Sequence, residues 1–279
     1  MKNKDKIITE SIADSELQSL IHLIKNVHGF DFGNYSMASF KRRISRIMDL
    51  EKLSYFYLSD QLVNDEAYFD HFLAEVTVNI TEMFRDPTFF KSVKEHIIPY
   101  LKSYQHIKVW SAGCSTGEEL YSFAILFNEE QLYDRSFFYG TDINQDVLIH
   151  AKEGIYDLQK MKLYSENYLQ LGGNKSLANY YTAKYDAVTL IRKLKKNVLF
   201  SVHNLVSDGA FNEFQLISCR NVLIYFDAEL QEKVIKLFYE SLANFGFLCI
   251  GSKESIRNNE LAKKFKLIDK KNNIYQKIS

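Results

Sequence analysis

From residue 11 to about residue 102, apolar side chains return every three or four positions, as in Leu17, Leu20, Ile21 and Ile24 and again in Phe40, Ile44, Ile47 and Met48. That spacing draws one apolar stripe along each helix and predicts an all-helical segment. The two prolines are Pro87 and Pro99, and the second closes a helical pattern running over about 89–98. A proline there removes a backbone donor and crowds the preceding turn. The reading therefore places a domain boundary after it, with a helical domain over 1–102 and a second domain over 103–279.

Past that point the period shortens. Apolar runs at Ile107–Ala112 and 137–141 alternate with helical stretches at 120–127 and 147–151, the βαβα rhythm of parallel strands joined by right-handed crossovers. Further strand-like runs stand at Val198–Val202, Phe214–Cys219, 247–251 and 274–278, with an amphipathic helix over 228–242. The expected fold is an open, doubly wound α/β sheet. Between residues 156 and 197 the rhythm gives way to a polar, tyrosine-rich stretch. Its alternation around 180–191 suggests a small inserted antiparallel β subdomain, taken as 160–196.

Composition adds bounds. At 279 residues with 46% hydrophobic and 25% charged side chains, the chain matches ordinary globular usage and not disorder, collagen or a membrane protein. Thirty-five Lys and Arg balance thirty-five Asp and Glu, so no global field marks a nucleic-acid binder. No apolar run approaches the ~18–20 residues that span a bilayer, and no signal-peptide core follows Met1; the expected location is the cytoplasm. Cys114, Cys219 and Cys249 form no paired spacing and read as buried thiols, not a disulfide framework or zinc site. The seven histidines are scattered without ligand spacing, so no metal is expected.

The strongest chemical signal is Val109-Trp-Ser-Ala-Gly-Cys-Ser-Thr-Gly-Glu-Glu-Leu, a strand, a loop with Gly113 and Gly117, and a helix start. At the carboxyl end of the first strand of an open sheet, such a loop lets a nucleotide-like ligand approach the backbone. A plain strand-to-helix turn is the bland alternative. The spacing is neither of the phosphate-binding glycine fingerprints, and Glu118 and Glu119 would repel a pyrophosphate and favour a cation. Asp142 follows at the tip of the second strand, where a carboxylate grips ribose hydroxyls or caps the next helix. Nicotinamide and adenosylmethionine enzymes share that device; the glutamates tip the choice toward a sulfonium cofactor. Arg220, Asn221 and Tyr225 leave the end of the apolar 214–219 run toward the same crevice. Asn79, Thr81 and Arg85 carry no intrinsic sign of catalysis, since caps and a surface ion pair explain them as well.

Together these segments resemble one family, the CheR-type chemotaxis receptor methyltransferases, which are protein-glutamate O-methyltransferases. The resemblance covers nearly the whole chain and is most specific in Trp110 to Glu119 and in Cys219-Arg-Asn-Val-Leu-Ile-Tyr-Phe-Asp. Asn79-x-Thr81-x-x-Phe84-Arg85, Thr141-Asp142-Ile143, Asn204-Leu205 and Gly251-Ser-Lys-Glu-Ser fall in the family's order. It implies an N-terminal helical domain, a Rossmann-like class I S-adenosylmethionine-dependent methyltransferase sheet and a small inserted antiparallel subdomain. It also implies cofactor contacts from Asn79, Thr81, Arg85, Gly113, Glu118, Asp142, Asn204, Leu205, Arg220 and Asn221, with Arg85 and Tyr225 beside the transferred methyl and its acceptor. The product would be S-adenosylhomocysteine, and the partners methyl-accepting chemotaxis receptors with acidic helices. Lys41, Arg42, Arg43 and Arg46 form a basic helix face suited to such a helix; without the resemblance a solvated face explains them. Some members also bind a receptor's tail peptide along the insertion, here 163–196. Met83, Leu120 and Lys253 depart from the family's pattern without touching an implied contact. The same chemistry on a non-receptor protein, and a cofactor-binding regulatory module without turnover, are the rival readings.

Overall fold

A computed structural model of the chain describes residues 12–77, 81–173, 175–257 and 259–278. Contacts divide it into two units, Met1–Val78 with Tyr225–Leu230, and Asn79–Ile224 with Gln231–Ser279. The first is built on helices α1 (Asp14–His28), α2 (Met37–Glu51), α3 (Tyr55–Asn64) and α4 (Glu66–Val76). The apolar stripes read from the sequence are its core: Leu17, Leu20, Ile21 and Ile24 of α1 and Phe40, Ile44, Ile47 and Met48 of α2 are buried with Phe69 and Phe72 of α4. Burial of each such side chain stabilises by about 1.5–3 kcal/mol. α1 stops at Gly29, whose left-handed φ of 75° turns its N–H onto the Lys25 carbonyl. Ser54 and Asp65 cap α3 and α4 by accepting from Tyr57 N and Tyr68 N.

The second unit begins with α5 (Pro87–Ser92), a π turn at Val93–Ile97 and α6 (Ile98–Leu101). The π turn sits directly before Pro99, which offers no N–H, and Ile98 N bonds instead to the Val93 carbonyl. Phe89, Phe90, Val93, Ile97, Ile98 and Leu101 lie in the same buried cluster as the sheet's central helix. For that reason the contacts divide at Val78 and not after Pro99.

The strands are β1 (Ile107–Ala112), β2 (Ser136–Asp142), β3 (Ile155–Asp157), β4 (Tyr181–Lys184), β5 (Ala187–Leu190), β6 (Val198–Val202), β7 (Phe214–Cys219), β8 (Leu242–Ile250), β9 (Phe265–Asp269) and β10 (Ile274–Lys277). Seven form one sheet in the order β6-β2-β1-β7-β8-β10-β9. The first five run parallel, whereas β10 is antiparallel to both β8 and β9. The remaining helices are α7 (Glu118–Glu129), α8 (Gln145–Glu153), α9 (Met161–Gln170), α10 (Arg192–Lys195), α11 (Ala228–Ser241) and α12 (Asn259–Ala262). α7 is apolar nearly all round, as a helix enclosed on every side must be. The chain grows outward from β1 through β2 to β6, then returns to place β7 on the other side of β1. This reversal makes the carboxyl ends of β1 and β7 a topological switch point, the crevice where open α/β sheets bind ligands.

The small antiparallel sheet has the order β3-β5-β4. Its first strand lies ahead of the 160–196 span, and α9 is enclosed in the same insertion. Tyr168 and Tyr180 both donate to Glu129 of α7, fastening the insertion to the sheet unit. Cys114, Cys219 and Cys249 are buried and unpaired. No helix among the described residues is long and apolar enough to cross a membrane.

Candidate active site

At the switch point, β1 ends in a loop whose backbone turns left-handed at Gly113, Ser115 and Gly117, with φ of 71°, 50° and 87°. Gly113 is required twice over, because a Cβ there would also run into the Val222 side chain of the loop after β7. Gly113 N and Cys114 N both donate to the Thr141 carbonyl at 2.8 and 2.9 Å, tying the β1 loop to the tip of β2. Asp142 stands at that tip, buried, its Oδ2 accepting from Ser115 N at 2.9 Å and its Oδ1 from Asn144 N at 3.1 Å. Burial raises its carboxyl above the ordinary range, and backbone N–H groups pull it partly back.

Glu118 opens α7 and is also buried. Its carboxyl accepts from the Thr116 hydroxyl at 2.6 Å and from the Tyr164 hydroxyl at 3.3 Å, and burial likewise pushes it up. Glu119 is engaged differently. It accepts from Ser111 Oγ and from Arg220, both at 3.1 Å. Arg220, whose side chain is only 3% exposed, also reaches Asp86 at 2.5 Å and the Arg85 carbonyl at 3.3 Å, with its guanidinium 3.9 Å above the Phe89 ring. It therefore spans Glu119 and the 84–86 turn and is held by acids of this chain.

That turn is unusual. Phe84 and Asp86 both adopt left-handed φ, 54° and 58°, a conformation that costs a bulky residue on the order of 1–3 kcal/mol and persists only where surroundings impose it. Here they do: Phe84 N donates to Ser122 Oγ at 2.8 Å, the Met83 carbonyl accepts from Asn167 at 3.1 Å, and Arg220 holds Arg85 and Asp86. Arg85 is half-buried between the two strained positions. Thr81 is half-buried ahead of it, and Asn79 lies outside the described residues.

After β7, Asn221 is left-handed at φ 64°, and its loop is governed by a group the sequence did not single out. Glu254, buried after β8, accepts from Asn221 N at 3.3 Å, from Ile224 N at 3.2 Å and from Gly251 N. Burial pushes its carboxyl up while these backbone donors pull it down. At the end of β6, Asn204 is spent locally, accepting from Val206 N at 2.9 Å while its own N–H donates to Asp208, and Leu205 is buried beside it. The Cys114 thiol is raised well above its usual value by burial, so it stays protonated and is no nucleophile at neutral pH.

In the helical unit, the segment Tyr225–Leu230 is bound to the turn before α2. Ser36 N donates to the Tyr225 carbonyl at 2.8 Å, Asp227 N to the Asn34 carbonyl at 2.9 Å, and Tyr35 meets Phe226 edge-on at 5.1 Å. Tyr225 lies under the Arg43 guanidinium, 4.5 Å from the ring centroid. Arg43 also donates to the Val76 carbonyl, and burial lowers its pKa. The basic cluster on α2 is thus divided: Arg43 turns inward, Lys41 pairs with Asp14 at 2.6 Å, and Arg42 and Arg46 are exposed.

The residues at the sheet's switch point fit a small ligand with hydroxyls and a positive charge. Ser115 Oγ, Asn144 Nδ2 and His203 Nδ1 are buried without a hydrogen-bond partner among the described residues. All three stand within a few residues of the ends of β1, β2 and β6, around Asp142, where buried polar atoms left unsatisfied are costly.

Residues 79–274 match the family model described as CheR methyltransferase, SAM binding domain, and residues 15–77 match CheR methyltransferase, all-alpha domain. A Pseudomonas putida protein named "Putative methyltransferase Cher3" is 44% identical over 270 residues, covering 96% of this chain and 99% of its own. Proteins named chemotaxis protein methyltransferase are 32% identical in Listeria monocytogenes, over 85% of this chain and 88% of theirs, and 30% identical in Salmonella typhimurium, over 92% and 88%.

Proposed function

This chain belongs to the CheR methyltransferase family, and on that premise we propose that it methylates glutamate side chains on the cytoplasmic helices of chemoreceptors, forming methyl esters. The observation that carries the reading is a pair of buried acids at the switch point, Asp142 at the tip of β2 and Glu118 opening α7, with no arginine or lysine in an ion pair with either among the described residues. Buried acids there disfavour phosphates and suit a cationic, hydroxyl-bearing donor. The chemotaxis names of relatives support the choice of acceptor.

S-adenosylmethionine, when bound, supplies a methyl group on a sulfonium and leaves as S-adenosylhomocysteine. Gly113, Glu118, Asp142, Asn204, Leu205, Arg220 and Asn221 are assigned to holding it, with Asn79, Thr81 and Arg85 from the preceding segment. Asp142 takes the hydroxyls. Arg220 acts through Glu119 and Asp86, each of which holds one of its terminal nitrogens. The acceptor glutamate has an ordinary pKa near ~4.3, so it is ionised at neutral pH and needs no general base. Positioning carries the work, and well-oriented reactants can gain up to roughly 7–11 kcal/mol. Arg85 is assigned to orienting the acceptor carboxylate and Tyr225 to donating a hydrogen bond to it. A tight ion pair at Arg85 would stabilise the ground state more than the charge-quenched transition state, so an orienting contact serves better. Arg42 and Arg46 are assigned to the acidic receptor helix.

The test is transfer of labelled methyl from S-adenosylmethionine to membranes carrying the organism's own chemoreceptors. Base-labile label on receptors, reduced at least tenfold by Arg85→Ala and by Tyr225→Phe, is expected. Label on another protein alone overturns the receptor assignment, and cofactor binding with no label anywhere overturns turnover.

A further inference from the structure

The insertion's helix α9 presents one face, at i, i+3 and i+4, to two parts of the candidate site. Tyr164 donates to Glu118 Oε1 at 3.3 Å, Asn167 donates to the Met83 carbonyl at 3.1 Å, and the Tyr168 ring lies 5.3 Å from that of Phe84. Tyr164, Asn167 and Tyr168 are all buried. Tyr156 of β3 adds a bond from its hydroxyl to the Thr116 carbonyl at 2.9 Å. The insertion therefore touches the β1 loop, the first residue of α7 and the strained turn at Arg85, and does so through hydrogen bonds as well as apolar packing.

We propose that Tyr164 is a positioning residue for the methyl-donor site, fixing Glu118 in its acceptor orientation, and that with Asn167 it makes α9 the strut joining the inserted subdomain to that site. The proposal rests on the reading of Glu118 as a donor-binding group. Glu118 has two hydroxyl donors, Thr116 and Tyr164, and a hydroxyl directed at a carboxylate favours its charged form. The other titratable groups facing it are Lys160 ahead of α9, Tyr156 of β3 and the Cys114 thiol. Lys160 favours the charged form, while burial opposes it and is the largest influence. With the Tyr164 hydroxyl gone, burial prevails further and Glu118 takes up its proton at higher pH.

The experiment measures binding of S-adenosylhomocysteine to the full chain by calorimetry from acid to neutral pH, in the wild type, Tyr164→Phe and Tyr168→Phe. Both substitutions keep ring and volume. Tyr168→Phe removes a hydroxyl directed at Glu129 instead of Glu118 and serves as the structural control. Tyr164→Phe is expected to weaken binding about tenfold at neutral pH and to move the acid-side loss of affinity to higher pH, while Tyr168→Phe leaves that pH where it was. A Tyr164→Phe curve superposed on the wild type, or an equal displacement in both variants, overturns the positioning role alone. A wild-type protein that does not bind S-adenosylhomocysteine overturns the donor-site reading along with it.

Discussion

Arg220 is the cation on which several parts of the site converge: two carboxylates, one carbonyl and one aromatic face meet its guanidinium. Replacing it with Met would leave the part-buried Glu119 beside no charge and free the 84–86 turn. Removing one partner of a buried pair costs about 3–5 kcal/mol, and because Asp86 is half exposed the lower figure applies. Urea unfolding of Arg220→Met is expected to show a loss of about 3 kcal/mol, with methyl transfer falling alongside. Gly113→Ala sits at a left-handed φ and against Val222, so it should destabilise by more than about 1 kcal/mol and abolish detectable donor binding by calorimetry; unchanged binding would refute the close approach of the two loops. The places of Gly113, Asp142 and Arg220 at strand ends, and of Glu118 at a helix start, were legible because the apolar runs located the strands and the glycine loop between them. Strain at Phe84 and Asp86 was not legible, since nothing in either side chain favours φ above zero and the conformation is imposed by Ser122, Asn167 and Arg220 from distant parts of the chain.

Among elements, the 221–224 loop depends on one carboxylate. Glu254 satisfies N–H groups on both sides of it, and Glu254→Ala leaves at least three backbone donors without their acceptor. At about 1–3 kcal/mol for each donor left buried, a loss of several kcal/mol is the upper bound, and water entry reduces it. A fall in the rate of methyl transfer larger than the fall in donor affinity is expected, because the loop continues directly into Tyr225. Equal falls in both would argue that Glu254 supports the fold generally. Its role escaped the sequence because all three bonded groups are backbone N–H groups and two of them lie some thirty residues away along the chain. Strand β9 was missed for a different reason: Phe265 is buried, but the four residues after it are partly or fully exposed, so this edge strand lacks alternation. β8 begins at Leu242, where the apolar pattern still reads as helix end, and its pairing with β7 shifts register between Phe214 and Leu216. The parallel strands β1, β2, β6 and β7 were readable, and the antiparallel closure at β10 was seen as a strand but not for its direction.

For the molecule as a whole, the buried acids set two opposed pH trends. Glu118, Asp142 and Glu254 each have a folded-state pKa raised by burial. The folded chain then binds more protons than the unfolded chain between the ordinary carboxylate range and the raised values, and stability falls as pH rises through that window. Asp208 and Asp269 have lowered values, so their stabilisation is present above about pH 4 and lost below it, outside the window. Thermal unfolding of the ligand-free protein should therefore show a higher midpoint at mildly acidic pH than at neutral pH, while the increment added by S-adenosylhomocysteine shrinks over the same fall in pH. Parallel trends would mean that donor binding does not require these acids to be charged.

The residues Tyr225–Leu230 lie between β7 and β8 in the chain but belong to the helical unit, where Asn34, Tyr35, Ser36 and Arg43 hold them. The helical module is consequently not one uninterrupted stretch of coding sequence. A chimaera joined once, near residue 78, would set a foreign Tyr225 and Phe226 against the native Tyr35 and Arg43. Exchange of the module between relatives succeeds only by double crossover, and the candidate tyrosine is inherited with the helices.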